Sequence, residues 1–295
     1  MWIAVRKVNV FENKCIAFIG PGMMAEAMIA GLVHQGVAKP ENMVAAGPTL
    51  ERLEYLREKY GIGVSSDNAD AARLADVVVL SVKPQRLDRV LAGLRGAVQP
   101  DALVLSIVAG ASMAMINSGL HHQVVVRSMP NTPAQIGEGI TVWTAAEKVS
   151  PEQIEMARQI LKALGQEIFV EEENYLDMAT ALSGTGPAYV FLFMEAMVDA
   201  GVHMGFPRRI AEQLVAQTVR GSVDFYRTHE EHVHLARLRN QVTSPGGTSA
   251  AALYYLEKAG FRTAISRAVW AAYERSRELG KGGKVHPPEG GQVEE

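Results

Sequence analysis

Residues 15–25 read C-I-A-F-I-G-P-G-M-M-A, and this stretch decides the fold of the chain. A short apolar run, Cys15–Ile19, leads directly into the pattern G-x-G-x-x-A, after which helical periodicity begins. In a dinucleotide-binding unit Gly20 permits the tight turn, Gly22 lets a pyrophosphate approach the backbone, and Ala25 lets the helix pack closely on the strand. Because strand, glycine turn and helix occur in the required order, the stretch favours dinucleotide binding over an ordinary turn.

Outward from this stretch, the first half of the chain alternates apolar runs with helical patterns. Such continuous apolar runs are typical of strands that are covered on both faces. The sequence therefore predicts an α/β fold with an N-terminal Rossmann-type, doubly wound parallel sheet. The predicted strands after the first are Met43–Ala46, Val77–Val82, Leu103–Val108, Val124–Arg127 and Ile168–Val170, and the predicted helices include Met23–Gln35, Leu50–Tyr60 and Pro151–Leu164.

The second half of the chain carries helical patterns only, so an all-α domain is expected to follow the sheet. We predict a dinucleotide-binding domain over residues 1–172, with residues 1–14 as an extension of unassigned role. An all-helical substrate and dimerisation domain follows over residues 173–280, and the Gly- and Pro-rich tail 281–295 is expected to be disordered. The predicted helices are Glu173–Ser183, Pro187–Met204, Pro207–Thr228, Glu231–Val242, Thr248–Lys258 and Phe261–Leu279.

One of these helices, Pro187–Met204, is apolar on nearly all sides. A helix of that kind has to be surrounded by other protein. A helical segment of this size can hardly cover it alone, so we predict a homodimer with intertwined helices.

Composition excludes several classes of function. The chain has 295 residues, is 48% hydrophobic and 21% charged, and has a formal net charge of -3, which fits a globular protein without a nucleic-acid surface. Its one cysteine, Cys15, excludes disulfides and thiolate metal sites. The start of the chain lacks the pattern of a signal peptide, and the apolar run Ala102–Ala111 is too short to span a membrane. We expect a cytoplasmic protein with a small-molecule substrate and no membrane partner.

Two features that suggest other chemistry have simpler interpretations. His229, His232 and His234 lie in a polar stretch beside two glutamates, which indicates a solvated helix end rather than a metal site. Ser183 and Ser244 lack the G-x-S-x-G elbow of hydrolases, which argues against nucleophilic catalysis. We therefore expect no metal in the site.

The residues after the second strand bear on the choice of cofactor. NAD sites usually place a carboxylate at the end of this strand, but here no acid occurs before Glu51. Thr49 opens the next helix, whose positive end can bind a 2′-phosphate, and Arg52 lies one turn later. This pattern favours NADPH. The alternative is that both cofactors bind and that Arg52 is simply solvated.

Three later turns follow strand ends on the same expected edge of the sheet. Ligands of open α/β sheets bind at the carboxyl ends of the strands, so these turns are expected to line the cofactor cleft. The alternative for Lys83 is that it is an ordinary surface lysine. For the loop with Asn131 and Thr132, a structural role agrees with the sequence as well as a ligand contact does. The turns contain Ser81, Val82, Lys83 and Pro84, then Ala109, and then Asn131 and Thr132.

A further motif, T-S-P-G-G-T-S over Thr243–Ser249, lies immediately ahead of a predicted helix. Helix starts present backbone N–H groups without carbonyl partners, and glycine lets an anion come close to them. The motif is expected to bind a carboxylate through Gly246, Gly247, Thr248 and Ser249. The alternative is an ordinary Ser/Thr cap after a Pro-Gly break.

Taken together, F-I-G-P-G-M-M-A, S-V-K-P-Q, M-P-N-T-P, L-S-G-T-G-P-A-Y and V-T-S-P-G-G-T-S resemble the Δ1-pyrroline-5-carboxylate reductase family over residues 15–279. The resemblance implies reduction of a cyclic imine by NAD(P)H to L-proline, the last step of proline biosynthesis. It also implies a Rossmann domain followed by a helical dimerisation domain, with dimers that often assemble further into rings. Two departures are Pro21, where alanine is usual, and Ser249, where threonine is common.

Carried over by motif, the resemblance also implies individual site residues. It places the cofactor on Gly20, Gly22, Met23, Met24, Thr49, Asn68, Val82, Lys83 and Ala109, with Gln241 near the cofactor across the dimer. It places the substrate on Glu173, Thr248 and Ser249.

Reduction of the imine requires little from the protein beyond positioning of the substrate. A C=N carbon next to a protonated nitrogen is already electrophilic, so catalysis can come from holding it against the nicotinamide. Thr248 and Ser249 are the predicted catalytic residues, with Ser249 orienting the ring nitrogen. Two alternatives stay open. One is a related imine or β-hydroxyacid reductase, which would require a lysine within Pro187–Met204. The other is a non-catalytic dinucleotide sensor.

Overall fold

The computed structural model describes residues 10–229 and 233–280, and these form two compact units. The first unit extends to Thr185 and also takes in the chain from Ala272 onward. The second unit is Gly186–Ala271. The predicted extension up to residue 9, the tail after residue 280 and His232 lie outside the described residues.

The first unit is built on an eight-stranded sheet in the order β3-β2-β1-β4-β5-β6-β7-β8. Neighbouring strands are parallel except β7, which runs antiparallel to β6. The predicted doubly wound fold class is confirmed. The strands are β1 Ile16–Ile19, β2 Met43–Ala46, β3 Gly63–Ser65, β4 Val77–Leu80, β5 Leu103–Ser106, β6 Val125–Met129, β7 Gly139–Ala145 and β8 Gly165–Phe169.

Helices cover the sheet on both faces, so β1, β4 and β5 are buried throughout. One core centres on Phe18, Met28 and Trp143, and the other on Leu80, Leu91 and Ile116. This two-sided cover explains why the central strands are continuously apolar. The helices of this unit are α1 Met23–His34, α2 Leu50–Tyr60, α3 Asn68–Arg73, α4 Leu87–Leu94, α5 Met113–Leu120, α6 Pro151–Lys162 and α7 Tyr175–Ala179, with a π-helical turn at Thr180–Gly184.

A buried arginine ties residues beyond β8 to the sheet. Arg127 on β6 is about 5% exposed and donates to Glu173 at 3.0 Å and to Asp177 at 2.9 Å. Ser276 also donates to Asp177, at 2.8 Å. Because a buried guanidinium needs these carboxylates, residues 173–185 belong to the sheet-containing unit rather than to the helical one. The compact units thus divide after Thr185, 13 residues beyond the predicted boundary at residue 172.

The second unit is entirely helical in its described part. Gly201 lets helices approach closely, since a Cβ there would lie 3.1 Å from the Cβ of Ala211. Its own core cluster is small and consists of Val198, Ala211 and Val215. The helices are α8 Gly186–His203, α9 Arg208–Arg227, α10 Leu235–Gln241, α11 Thr248–Lys258 and α12 Phe261–Gly280, whose last turns belong to the first unit.

Helix α8 leaves most of its apolar surface uncovered within the chain. Phe191 is 62% exposed and Leu192 is 67% exposed, and Tyr255 and Trp270 elsewhere in the unit are exposed to a similar extent. By length and composition the helical stretch Tyr175–His203 could cross a membrane, but a helix enclosed between protein subunits meets the same criteria. An apolar surface of this size requires a partner.

Candidate functional site

The glycine turn after β1 has the conformation that its sequence predicts. Gly20 has φ +89°, and its N–H donates to the carbonyl of Ala46 at 2.9 Å. A Cβ on Gly20 would lie 2.5 Å from Cγ1 of Val82, so a side chain does not fit. The Ser81 hydroxyl donates to the carbonyls of Ile19 and Gly20. Ser81 and Val82 therefore hold the turn in place from the end of β4.

Gly22 opens α1 and leaves space in front of the helix. The helix has no side-chain cap, and its first N–H with a backbone carbonyl partner is that of Glu26, which donates to Gly22 at 3.0 Å. A Cβ on Gly22 would meet no atom closer than the Gly20 carbonyl at 4.0 Å. The open space and the uncapped N–H groups together form a cradle for an anionic ligand.

Pro21 is compatible with this turn because it packs against a matching glycine. A Cβ on Gly47 would lie 2.7 Å from Cδ of Pro21, so a side chain at residue 47 does not fit beside the proline ring. The Pro21 carbonyl accepts a hydrogen bond from Arg52 at 2.8 Å. The contacts of Pro21 are made by its ring and its carbonyl, so the turn does not require an N–H at this position.

A cleft of about 810 Å³ opens beside the turn, a volume within the range of small-molecule and cofactor sites. The sheet order places β2 and β4 on either side of β1, so the segments that follow these three strands meet around the cleft. Of the predicted cofactor residues, those lining it are Gly20, Gly22, Thr49, Asn68, Ser81, Val82 and Lys83.

Other predicted cofactor residues lie outside the cleft lining. Met23 is 66% exposed, Met24 is partly buried against the core, and Pro84 begins a short helical turn after β4. Ala109 follows β5 in a turn where Gly110, at φ +74°, packs against Leu279. The contacts of these residues with the cofactor stay predictions.

Asn68 stands out among the lining residues because of an unsatisfied atom. Its buried Oδ1 has no hydrogen-bond partner among the described residues. A buried acceptor without a donor costs about 1–3 kcal/mol, which a ligand hydroxyl or amino group can recover after a small rotation of the side chain.

Arg52 has partners within the protein that the sequence did not indicate. Its guanidinium donates to the carbonyls of Pro21 and Gly22, at 2.8 and 3.2 Å, and to Glu26 at 2.6 Å. The side chain is therefore not simply solvated, because three of its five N–H groups have partners within the protein. It clamps the glycine turn to α1 and α2, and its contact with a 2′-phosphate stays a prediction.

Glu26 completes this clamp and is ionised under all ordinary conditions. Burial alone would raise its pKa, but hydrogen bonds from Lys59, Arg52 and Tyr60 outweigh burial and lower the pKa to about 2. Tyr55 also donates to this carboxylate, at 3.2 Å. One carboxylate thus gathers four donors behind the cofactor turn.

The clamp predicts a pH-dependent contribution to stability. The Glu26 pKa is lower when folded, about 2 against an ordinary 4.5, so its stabilisation is complete above pH 4.5 and is lost as pH falls toward 2. We expect Glu26→Gln to lower the free energy of unfolding by about 2–3 kcal/mol at pH 7 and by little near pH 2. Urea unfolding of both proteins between pH 7 and pH 2 measures this. A constant difference across that range would contradict it.

The sequence missed residues on the α4 side of the cleft. Arg86, Arg89, Val90 and Gly93 line it, as do Ser66 and Asp67 ahead of α3. The missed signal is spacing: Arg86 and Arg89 lie one helical turn apart directly after the S-V-K-P turn. Exposed arginines on a helix resemble solvated surface until the fold places that helix beside the cofactor turn.

Two predicted substrate residues in the first unit have partners within the protein. Asn131 accepts from the N–H of Ile140 at 2.9 Å and donates to the carbonyl of Ser183 at 3.2 Å, while its neighbour Thr132 is exposed. Glu173 accepts from Arg127 and from the N–H of Met113 at 2.7 Å. The structure gives Asn131 and Glu173 structural roles, and their contacts with substrate stay predictions.

The T-S-P-G-G-T-S motif forms a turn and a helix start in the second unit. The N–H of Gly247 donates to the carbonyl of Ser244 at 3.0 Å, and Gly246 has φ +71°, as the third residue of a Pro-Gly turn requires. Helix α11 then begins at Thr248 without a side-chain cap. The alternative of an ordinary Ser/Thr cap is wrong, since Gly247 occupies the cap position.

The hydroxyls of Thr248 and Ser249 make no hydrogen bond with any residue that the structure describes, and Thr248 is exposed. The first N–H of the helix with a carbonyl partner is that of Ala251, which donates to Gly247 at 3.2 Å. The turn therefore offers both backbone N–H groups and two hydroxyls to a ligand. Gln241, at the exposed end of α10, lies seven residues before Thr248 in the chain.

The histidines near residue 230 make local contacts. His229 contacts the Phe225 carbonyl and the Thr228 hydroxyl, and His234 caps α10 by accepting from the N–H of Ala236. Within residues 10–229 and 233–280, no group of three His, Cys, Asp or Glu residues is arranged to hold a metal ion.

Comparison with known proteins agrees with this geometry. A family model for pyrroline-5-carboxylate reductase dimerisation matches residues 173–279, and a model for coenzyme F420-dependent NADP oxidoreductases matches residues 15–110. The pyrroline-5-carboxylate reductase of Synechocystis sp. is 46% identical over 90% of this chain and 98% of its own length. The enzyme of that name from Pseudomonas aeruginosa is 42% identical over 90% and 96%.

A solved structure shows the same relationship in three dimensions. Plasmodium falciparum pyrroline carboxylate reductase, crystallised with NADP bound, superimposes with a TM-score of 0.83 and 32% identity, covering 91% of this chain and 99% of its own. Identity at this level over nearly the full length of each relative is decisive. This chain belongs to the pyrroline-5-carboxylate reductase family.

Proposed function

We propose that this protein reduces 1-pyrroline-5-carboxylate to L-proline with NADPH, the last step of proline biosynthesis. The observation that carries the proposal is the pair of anion-binding elements in a chain of this family. The first unit has an open glycine cradle at the start of α1, and the second has an uncapped, hydroxyl-bearing turn at the start of α11. A dinucleotide and a small carboxylic acid need these two kinds of site.

The cleft residues fit a phosphorylated dinucleotide. The space that a Cβ on Gly22 would fill is empty, and α1 presents its first N–H groups there. We assign cofactor binding to Gly20, Gly22, Thr49, Asn68, Ser81, Val82 and Lys83, with Met23, Met24, Pro84, Ala109 and Gln241 as further expected contacts. When bound, NADPH supplies the hydride, and the protein supplies the binding site and its orientation.

The turn before α11 fits the substrate. Backbone N–H groups at Gly247 and Thr248 bind the carboxylate, which needs no fixed positive charge there. The Ser249 hydroxyl orients the ring nitrogen, and Gly246 gives the turn its shape. We keep Asn131, Thr132 and Glu173 as expected contacts of the substrate pocket, although Asn131 and Glu173 also have structural partners.

The reaction explains why these residues are uncharged. The imine nitrogen is protonated before hydride arrives, so the carbon beside it is electrophilic without an added acid. The side chains of Thr248 and Ser249 then bind and orient, and hydrogen bonds fix the angle at which the carbon is attacked. A general base is unnecessary because the product amine keeps its proton.

The oligomer is part of the proposal. Helix α8 is apolar and exposed in the single chain, and the dimerisation model matches the segment that contains it. We infer a homodimer in which these helices cover one another, and dimers that can associate into rings. A cytoplasmic location and the domain boundaries at residues 172 and 280 stay predictions.

A spectrophotometric assay tests the activity. Purified protein, NADPH and 1-pyrroline-5-carboxylate are mixed, and loss of the absorbance of reduced nicotinamide is followed, with NADH in a parallel series. We expect oxidation that requires both protein and imine. Nucleotide binding without turnover would instead favour a dinucleotide sensor, and turnover only with a β-hydroxyacid would favour the related dehydrogenases.

Ser249→Ala separates orientation of the substrate from binding of the cofactor. Loss of one hydrogen bond to a charged group costs about 1.5–3 kcal/mol, so we expect turnover to fall about 10- to 100-fold. The KM for NADPH is expected to stay near the wild-type value, because Ser249 belongs to the substrate turn. Ser249→Thr keeps the hydroxyl and should retain most activity. Wild-type turnover in the alanine variant would remove Ser249 from the mechanism.

A further inference from the structure

The cleft of the first unit is lined by several cationic side chains. Lys83, Arg86 and Arg89 line it, and none of their side chains makes an ion pair with a residue in the described part of the chain. The remaining cation in the lining, Arg52, is neutralised by Glu26 at 2.6 Å. Three cationic side chains thus face the cleft without a countercharge.

The cleft lining contains little negative charge. Asp67 is the one acidic residue in the lining, and its Oδ1 accepts from the N–H groups of Ala69 and Asp70 at 2.7 and 3.3 Å. No carboxylate follows β2, where Ala46 leads into the buried Gly47. Asp67 is therefore the one negative charge in the lining, and three cationic side chains without an ion-pair partner outweigh it.

Arg86 and Arg89 occupy the wall that α4 contributes. Helices α3 and α4 share one core, which contains Ala71 and Ala72 from the former and Leu87 and Leu91 from the latter. Arg89 lines the same cleft as Asn68 and as Thr49, whose helix start is the expected site of the 2′-phosphate. Both arginines therefore belong to the cleft that contains this expected site.

We infer that Arg86 and Arg89 recognise the 2′-phosphate of NADPH and set the preference over NADH, whereas Arg52 holds the cofactor turn. The inference rests on the proposed function, since it concerns the nucleotide of that reaction. Guanidinium groups pair with phosphate through charge-assisted hydrogen bonds, and side chains without a partner are free to do so. Arg52 already uses three of its five N–H groups on Pro21, Gly22 and Glu26.

The two roles predict opposite patterns in binding and kinetics. Arg86→Gln/Arg89→Gln should weaken NADP⁺ binding about 10- to 100-fold and change NAD⁺ binding by less than about twofold. Arg52→Gln should weaken both nucleotides by a similar factor, because the disturbed turn contacts the pyrophosphate that they share. The NADPH preference of the wild type should also fall as ionic strength rises.

The test is calorimetric titration of the full-length enzyme with NADP⁺ and NAD⁺, together with kcat/KM for NADPH and NADH. Lys148→Gln/Lys162→Gln is the matched control, since it removes two exposed positive charges outside the cleft lining and should leave the nucleotide ratio unchanged. Thermal unfolding of each variant verifies that it is folded.

Each outcome decides the inference. A selective loss of NADP⁺ in the Arg86/Arg89 variant supports it. An unchanged ratio in that variant, a selective loss in the Arg52 or the lysine variant, or a wild type that binds both nucleotides equally would overturn it. Selective NADP⁺ binding by a protein that reduces no imine would sustain this inference while the proposed function fails, so the two failures are distinguishable.

Discussion

Gly22→Ala is expected to weaken NADPH binding at least about 100-fold while the protein stays folded. The new methyl group meets no protein atom closer than 4.0 Å, so the folded chain can accept it. It occupies the space in which the pyrophosphate contacts the first N–H groups of α1. Loss of two hydrogen bonds to a charged group, at about 1.5–3 kcal/mol each, gives the expected factor.

Stability provides the internal control for this variant. Exchanging glycine for alanine at a helix cap costs about 1 kcal/mol or less, so the thermal midpoint should fall by only a few degrees. Gly20→Ala is the contrasting variant, because it forces a side chain into a φ of +89° and against Val82. It should lose both stability and cofactor binding. Calorimetric titration and thermal unfolding measure the two effects, and wild-type NADPH affinity in Gly22→Ala would contradict the assigned cradle.

The second large effect concerns the proposed dimer. Phe191→Asp/Leu192→Asp is expected to convert the protein to monomers and to abolish measurable turnover. Burial of an aromatic or aliphatic side chain stabilises by about 1.5–3 kcal/mol, and the variant removes two from each subunit. Two carboxylates per subunit would also have to lose water without a partner. The dimer dissociation constant should therefore rise more than about 1,000-fold.

Light scattering after size-exclusion chromatography measures this change directly. Leu74→Asp is the matched control, since Leu74 is 76% exposed on the first unit and lies outside the dimerisation segment. It should remain a dimer with normal activity. Circular dichroism verifies that the helices of both variants persist. A fully dimeric Phe191/Leu192 variant would show that α8 is not the interface.

Much of the fold was predictable because the central strands are simple. Strands β1, β2, β4 and β5 are apolar at nearly every position, and each leads into a helix as the parallel order requires. Strand β7 was missed because its pattern is inverted. Its buried positions carry Thr141 and Trp143, whereas Ile140 and Val142 are only half-buried. Strand β3 was missed because it has three residues at the edge of the sheet.

The candidate site was predictable where a residue acts through its backbone. Gly20 was found because its turn geometry excludes a side chain, and Gly22 because a bound pyrophosphate has to approach the backbone there. The partners of Arg52 were not predictable because Pro21 and Gly22 are about 30 residues away in sequence. In the local sequence Arg52 is a cation one turn into a helix. In the folded chain its guanidinium contacts two carbonyls and a carboxylate.

The buried pairing of Arg127 shows the same limit. Arg127 ends the predicted strand Val124–Arg127, is about 5% exposed and pairs with Glu173 and Asp177. Charge alone could not reveal these partners, which lie 46 and 50 residues later. Their pairing also explains why the helical unit begins later than composition indicates.

Transfer of a labelled hydride tests the central claim most directly. NADPH carrying deuterium at both positions of the nicotinamide C4 is incubated with the enzyme and 1-pyrroline-5-carboxylate in ordinary water, and the product is examined by mass spectrometry and NMR. The account predicts proline that is one mass unit heavier, with deuterium on the ring carbon that was double-bonded to nitrogen. Unlabelled proline, or the absence of proline despite bound cofactor, would contradict it.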